Sequence, residues 1–251
     1  MSDRLQQLDA LLYPHLGAGW DNKMFREEML GVVDGHALVL DLGAGAGIIP
    51  EMRLSGHVGK VCGVDPDASV LGNPYLDEAI VGRAESIPYP DGHFDLVVAN
   101  NVLEHLEFPE RAFEEIARVL KPGGRCVAKT PNRWHYVPII ASCTPHRFHE
   151  WINERRGRRA SDTFPTHYRV NSRAAVHRLA ARAGLIVERL VLIEGRPEYL
   201  RMTVPTYLAG WLYERCVNRL PGMWRFRAVM LLVLWKVPSS GMGAGPQRTA
   251  A

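Results

Sequence analysis

The sequence of 251 residues predicts an α/β fold: an open, mostly parallel sheet with helices on both faces. Three observations carry this. Short apolar runs such as "HALVLDL" (36–42) and "KVCGVD" (60–65) have the continuous hydrophobicity of strands covered on both sides. A glycine-rich turn, "GAGAG" (43–47), follows the first run directly. Strand-like and helix-like stretches then alternate to residue 130, the pattern of parallel strands joined by crossovers.

Residues 3–12 and 22–31 show helical spacing and precede the first strand. After the glycine turn, "IIPEMRLSG" (48–56) predicts a helix closed by Gly56. The second strand ends at Asp65 and is stopped by Pro66, and "LGNPYLDEA" holds a turn rather than a long helix. A brief third strand is expected at 79–82 and a fourth at 93–100. Pro109 opens an amphipathic helix to residue 120, with Phe113, Ile116, Ala117 and Leu120 on one face. "KPGG" ends it before a fifth strand at 125–130. Residues 172–184 read as a helix stopped by Gly184, 185–195 as a strand, and 199–204 as a further strand at the sheet edge. "PTYLAGWLYERCV" and "MWRFRAVMLLVLWKV" read as two apolar helices, and 238–251 as a disordered tail. The expected organisation is a main domain at 1–204 with an insertion at 131–170, C-terminal helices at 205–237, and the tail.

Composition is that of a globular protein, with 47% hydrophobic and 23% charged residues. Cys62, Cys126, Cys143 and Cys216 lie far apart without C-x-x-C spacing, which suits a reducing compartment and argues against a disulfide framework. The first residues, "MSDRLQQLDALLYPHL", lack the unbroken apolar run of a secretion signal, so a cytoplasmic location is expected. Charge is divided. Residues 1–131 hold 11 basic and 20 acidic residues, a balance of −9, and residues 132–251 hold 19 and 7, a balance of +12. Such asymmetry speaks to partners rather than to fold.

Ligands of open α/β sheets sit beyond the carboxyl ends of the strands, where the glycine turn, Asp65, Glu85 and Asn100 would meet. A dinucleotide fingerprint G-x-G-x-x-G fits neither register, since its last position falls on Ile48 or Pro50. Asp41, two residues before Gly43, would also repel a diphosphate and attract a cation.

The pattern D-x-G-x-G-x-G at 41–47 resembles motif I of class I S-adenosylmethionine-dependent methyltransferases. Asp65 at the end of the second strand, "AESIPYPDGHFDLVVANNVLEHL" and "IARVLKPGG" resemble further segments of that family, in order, across residues 38–130. The resemblance is to the type-11 group, which includes quinone-biosynthesis members. It implies a Rossmann-like sheet of seven strands and S-adenosyl-L-methionine as cofactor. It also implies that Gly43, Gly45 and Gly47 let backbone approach the methionine moiety and that Asp41 orients its ammonium. Asp65 would accept from the ribose hydroxyls, Ala84 and Glu85 would frame the adenine, and Asn100 would contact the cofactor from the fourth strand. The family often has an acid at the position of Arg83, which cannot accept a hydrogen bond, so Glu85 is expected to take that part. His105 is expected to make a structural hydrogen bond.

The acceptor pocket is expected from 131–170, with His149 and His167 as candidate general bases. "HRFHE" (146–150) has two histidines three apart and no third ligand, so no metal is expected. "RRGRR" (155–159), with Arg147 and Arg169, is either a solvated face or a site for phosphate, anionic sugar or a lipid headgroup. "AVMLLVLW" is far short of the roughly 20 residues that span a bilayer. With its flanking Trp and Arg it fits either an interfacial helix or a core or dimer helix. The segments "TPNRWHYVP", "HRFHEWINERRGRR" and "DTFPTHYRVNS" resemble methyltransferases of bacterial glycan and lipid-linked sugar pathways. The resulting expectation is O-methylation of a glycan or lipid-linked acceptor, with peripheral contact at the inner membrane face and no nucleic acid partner. A quinone-type or other small-molecule acceptor is the alternative, and a non-catalytic cofactor-binding regulator the alternative of another class.

Overall fold

The computed structural model describes residues 3–143 and 165–238. A seven-stranded sheet has the order β3-β2-β1-β4-β5-β7-β6. The strands are β1 (Leu38–Leu42), β2 (Lys60–Asp65), β3 (Glu78–Val81), β4 (Phe94–Asn100), β5 (Leu120–Pro131), β6 (Leu185–Ile193) and β7 (Val229–Lys236). All neighbouring pairs are parallel except β5–β7 and β6–β7, which are antiparallel. The helices are α1 (Asp3–Leu12), α2 (Trp20–Gly31), α3 (Pro109–Val119), α4 (Tyr136–Cys143), α5 (Arg173–Arg182) and α6 (Val204–Arg219). The strands at 38–42, 60–65, 78–81 and 94–100 and the helices at 109–119 and 173–182 lie where the hydrophobic pattern puts them.

The sheet is covered on both faces. Phe25 and Met29 of α2 pack on Val39, Val61, Val98 and Val127. Phe113 and Ile116 of α3, with Val176 and Leu179 of α5, pack on Leu40, Val97 and Ala128. Because strand side chains alternate between faces, Asp41, Asp65, Asn100 and Lys129 follow the residues on the α2 side, while Thr130 follows Ala128 to the other side.

Three expected elements differ. The stretch 48–56 is not a helix; it holds a single 3-10 turn at Pro50–Met52. Arg26 of α2 donates its guanidinium to the carbonyls of Glu51 (2.8 Å) and Arg53 (2.5 Å), oxygens that a continuing helix would use internally. The buried Met52 and Leu54 then join the core beneath α2, which supplies the helical layer on this face.

The segment 199–204 is not an edge strand. A 3-10 turn at Glu198–Leu200 leads into α6, whose start is fixed by Thr203 and Thr206 in a capping box with proline in the first turn. Asp9 of α1 accepts from Arg196 and Arg201, pinning this turn to the N-terminal helix.

The second C-terminal helix is a strand. Val229–Lys236 forms β7, inserted between β5 and β6. Met230, Leu232 and Leu234 enter one core, and Leu231 and Val233 the other. A strand buried on both faces loses its two-residue polarity period, so its sequence reads like a buried helix. This apolar run therefore lies inside the fold and is not an interfacial helix. Of the tail expected at 238–251, residues 239–251 lie outside the described residues.

Candidate cofactor site

The carboxyl ends of β1, β2, β4 and β5 converge on one edge of the sheet. The β1 exit is a loop in which Gly43, Gly45 and Gly47 all have positive φ (75°, 51° and 71°). A Cβ at Gly43 would lie 2.3 Å from Val102 Cγ2, and one at Gly47 would lie 2.2 Å from Asn73 Oδ1. A Cβ at Gly45 would meet nothing within 4 Å. The outer two glycines are thus required by the fold, while the middle one faces open space where a ligand can approach.

Two side chains hold this loop. Asp65 accepts from Gly45 N through Oδ2 (2.9 Å) and from Asp67 N through Oδ1 (2.8 Å). Each carboxylate oxygen keeps a further lone pair. Asn73 donates Nδ2 to the carbonyls of Ala44 (3.0 Å) and Gly45 (3.1 Å).

Asp41 is buried on the same face. Burial, reinforced by the nearby charge of Asp65, pushes its carboxyl up to about 8. An anion would raise this further, whereas a cation would favour the carboxylate. Beside it, Asn100 donates Nδ2 to Asn22 (3.3 Å), while its Oδ1 is buried without a hydrogen-bond partner. Lys129, opposite Asn100 in the β4–β5 register, is buried and donates to Asp21 Oδ2 (2.5 Å) and to Asn22. Burial lowers the Lys129 ammonium from its usual range, against the pull of Asp21. The start of α2 is in this way fastened over the ends of β4 and β5.

At the adenine side expected from the sequence, the Ala84 side chain is buried in the α3-side core, so a ligand there would meet its backbone. Glu85 lies 3.5 Å from Arg83 Nε, and Arg83 also reaches Glu107 at 4.0 Å. Glu85 thus faces Arg83, whose guanidinium is mostly exposed and only loosely approached by Glu107.

The other face of the β4 and β5 ends carries a buried polar chain. Thr130 donates to Glu104 (2.8 Å) and accepts from Asn171 Nδ2 (2.7 Å). Burial raises the Glu104 carboxyl. The Glu104 carbonyl accepts from the backbone N–H groups of His167 (2.7 Å) and Tyr168, which brings exposed His167 to this edge. His105 bonds through Nδ1 to the Pro165 carbonyl (2.9 Å), the structural hydrogen bond expected of it. His149, Arg147 and the arginine run 155–159 lie outside the described residues.

Residues 40–128 match the family model described as "Methyltransferase domain". The stretch carries a class I, type-11 methyltransferase domain. A ubiquinone/menaquinone biosynthesis C-methyltransferase (UbiE) of Pseudomonas aeruginosa is 36% identical over 115 residues, which cover 41% of this chain and 44% of that protein. Its counterpart in Cupriavidus necator is 32% identical over 144 residues, 53% of this chain and 59% of that protein. The chain thus spans about half the length of the curated relatives it matches. A geranyl diphosphate C-methyltransferase from Streptomyces coelicolor, solved with Mg2+, geranyl diphosphate and S-adenosyl-L-homocysteine, shares the fold. Its TM-score is 0.57 at 17% identity, over 94% of this chain and 85% of that one. An S-adenosylmethionine-dependent methyltransferase from Mesorhizobium loti gives 0.56 at 18% identity, over 87% and 98%.

The fold brings Asp41, Gly43, Gly45, Gly47, Asp65 and Asn100 to one edge of the sheet and adds residues that the sequence pattern did not single out. Asn73, Asp21, Asn22 and Lys129 act through contacts distant in sequence. The one sequence signal for them is a lysine at the end of an otherwise apolar strand.

Proposed function

We propose that this chain transfers a methyl group from S-adenosyl-L-methionine to a small organic acceptor, with a quinone-type ring carbon as the first candidate. The observation that carries the reading is the buried face formed by Asp41, Asp65 and Asn100 beside open Gly45. It offers an acid poised to ionise beside a cation, an acid with spare lone pairs for hydroxyls, and an unpartnered amide oxygen. This fits a cationic nucleoside better than a diphosphate. When bound, the cofactor supplies a carbon already activated by its sulfonium.

The protein's own part is alignment and proton removal. The Asn73 clamp and the Asp65 bond fix the glycine loop, and the Lys129–Asp21 pair fixes the α2 end. On the acceptor side, the Glu104–Thr130–Asn171 chain gives a stiff floor, and His167 is the residue proposed to take the acceptor's proton. The names of the UbiE relatives support the quinone-type acceptor.

A glycan or lipid-linked acceptor, methylated on oxygen at the inner membrane face, is the second reading. The balance of +12 over residues 132–251 favours it, since such acceptors carry phosphate or acidic sugars. Among the described residues no helix is long and apolar enough to cross a membrane.

The experiment is transfer of labelled methyl from S-adenosyl-L-methionine to demethylated quinols, to membrane lipid extracts and to lipid-linked glycans. Label in quinol, unaffected by Arg155→Gln and Arg156→Gln, supports the first reading. Label in the anionic lipid-linked fraction, lost in those variants, supports the second. Cofactor binding without label in any fraction would make the chain a non-catalytic cofactor-binding protein.

A further inference from the structure

Three segments distant in sequence are tied into one knuckle at the carboxyl end of β5. Asn132 is buried, donates Nδ2 to the carbonyls of Arg225 and Arg227 (2.8 Å each), and accepts from Trp134 N (3.2 Å). The Arg133 N–H donates to the Asn171 carbonyl (3.0 Å). The knuckle therefore joins the β5 exit, the start of α5 and the turn before β7.

What it presents outward is two tryptophans and three arginines. Trp134 is 53% exposed and Trp224 is 40% exposed. Arg133 lies over the Trp134 ring (5.4 Å) and Arg173 over the Trp224 ring (5.2 Å), with Arg225 exposed beside them. Exposed tryptophans cost solvation in water, and a rigid hub that holds two of them outward beside cations needs a reason. Leu208 and Leu212 are exposed one turn apart on α6, and Leu220 is exposed at its end, next to the knuckle.

Charge decides what this surface fits. Residues 165–187 contain no acid, and the four acids of 188–251 are all engaged elsewhere. Arg125 holds Glu188, the Ala228 N–H holds the buried side chain of Glu194, Arg196 and Arg201 hold Glu198, and Tyr13 and Asn218 hold buried Glu214. A second copy meeting this face about a twofold axis would bring together arginines that have no carboxylate partner among the described residues. An interface of anionic headgroups over acyl chains satisfies both parts, since indole rings favour the headgroup level and arginines pair with phosphate.

We propose that the Trp134–Trp224 knuckle docks this protein on an anionic lipid bilayer, facing the catalytic edge of the sheet toward the membrane. The surface is separate from the apolar run of β7, which is buried. The docking is independent of which acceptor is methylated.

The test is co-sedimentation of the purified full chain with vesicles of phosphatidylcholine alone or mixed with phosphatidylglycerol, at low and high salt. The knuckle predicts binding to the mixed vesicles only, weakened by salt. Arg133→Gln and Arg173→Gln should each weaken it about fivefold. Brominated acyl chains should quench tryptophan fluorescence in the wild type and much less in Trp134→Ser/Trp224→Ser. Thermal melting and S-adenosylhomocysteine binding of each variant show that it remains folded. No sedimentation with either vesicle would overturn the proposal. So would equal binding by the folded variants and the wild type, which would locate the contact elsewhere. Self-association in light scattering that depends on the tryptophans, without vesicle binding, would assign the face to a second copy and overturn it as well.

Discussion

The backbone N–H of Gly45 donates to Asp65 Oδ2 at 2.9 Å, so the acid ending β2 holds the loop ending β1. One carboxylate thus shapes the glycine turn and offers its remaining lone pairs to a ligand. Loop geometry and ligand affinity are coupled through it.

The glycines separate fold from function. At Gly47 an added Cβ would collide with the Asn73 side chain that clamps the loop, whereas at Gly45 it would enter open space. Gly45→Ala should fold, with a backbone cost of about 1 kcal/mol from its positive φ, and should lose cofactor affinity. Gly47→Ala should be the less stable of the two. Urea unfolding beside calorimetric titration checks both.

The pH dependence follows from Asp41. Its carboxyl titrates at about 8 in the folded protein and at about 3.9 in an unfolded chain. The folded state therefore holds an extra proton between these values, and stability falls as pH rises through that window. Asp41→Asn should flatten the slope by about 1.4 kcal/mol per pH unit. The contribution of Glu194, also pushed up to about 8 by burial, should remain. A cation bound beside Asp41 favours the carboxylate, so cofactor binding should release a proton and tighten toward pH 8. Titration in buffers of different ionisation enthalpy measures that proton.

The Lys129–Asp21 pair is asymmetric. Lys129 is almost fully buried and Asp21 is partly solvated. Asp21→Ala strands a buried cation and should destabilise by about 3 kcal/mol, the low end for such a loss, because Asn22 keeps one hydrogen bond. Lys129→Met leaves an acid that water can reach and should cost less. Chemical denaturation of the two variants gives the order, and the reverse order would refute the assignment.

What the sequence revealed depended on how local the cause was. The buried runs of β1, β2 and β4 and the stripe of α3 were legible because each element's own period recorded its burial. The strand β7 was not, because both of its faces are covered. The missing helix after the glycine turn reflects Arg26, more than twenty residues earlier, taking the carbonyls of Glu51 and Arg53. Asp41, Asp65 and the glycines were legible by family resemblance. Asn73 and Lys129 were not, because their partners lie 28 to 108 positions away.

Calorimetric titration of S-adenosylhomocysteine into the wild type and Asp65→Ala, with NADH as a control ligand, decides whether the edge formed by Asp41, Gly45 and Asp65 binds the cofactor. The wild type should bind S-adenosylhomocysteine and not NADH. The variant should lose at least about tenfold in affinity, from hydrogen bonds to a charged group worth about 1.5–3 kcal/mol. A folded wild type that gives no binding, or an Asp65→Ala variant that binds as tightly as the wild type, would contradict this cofactor site.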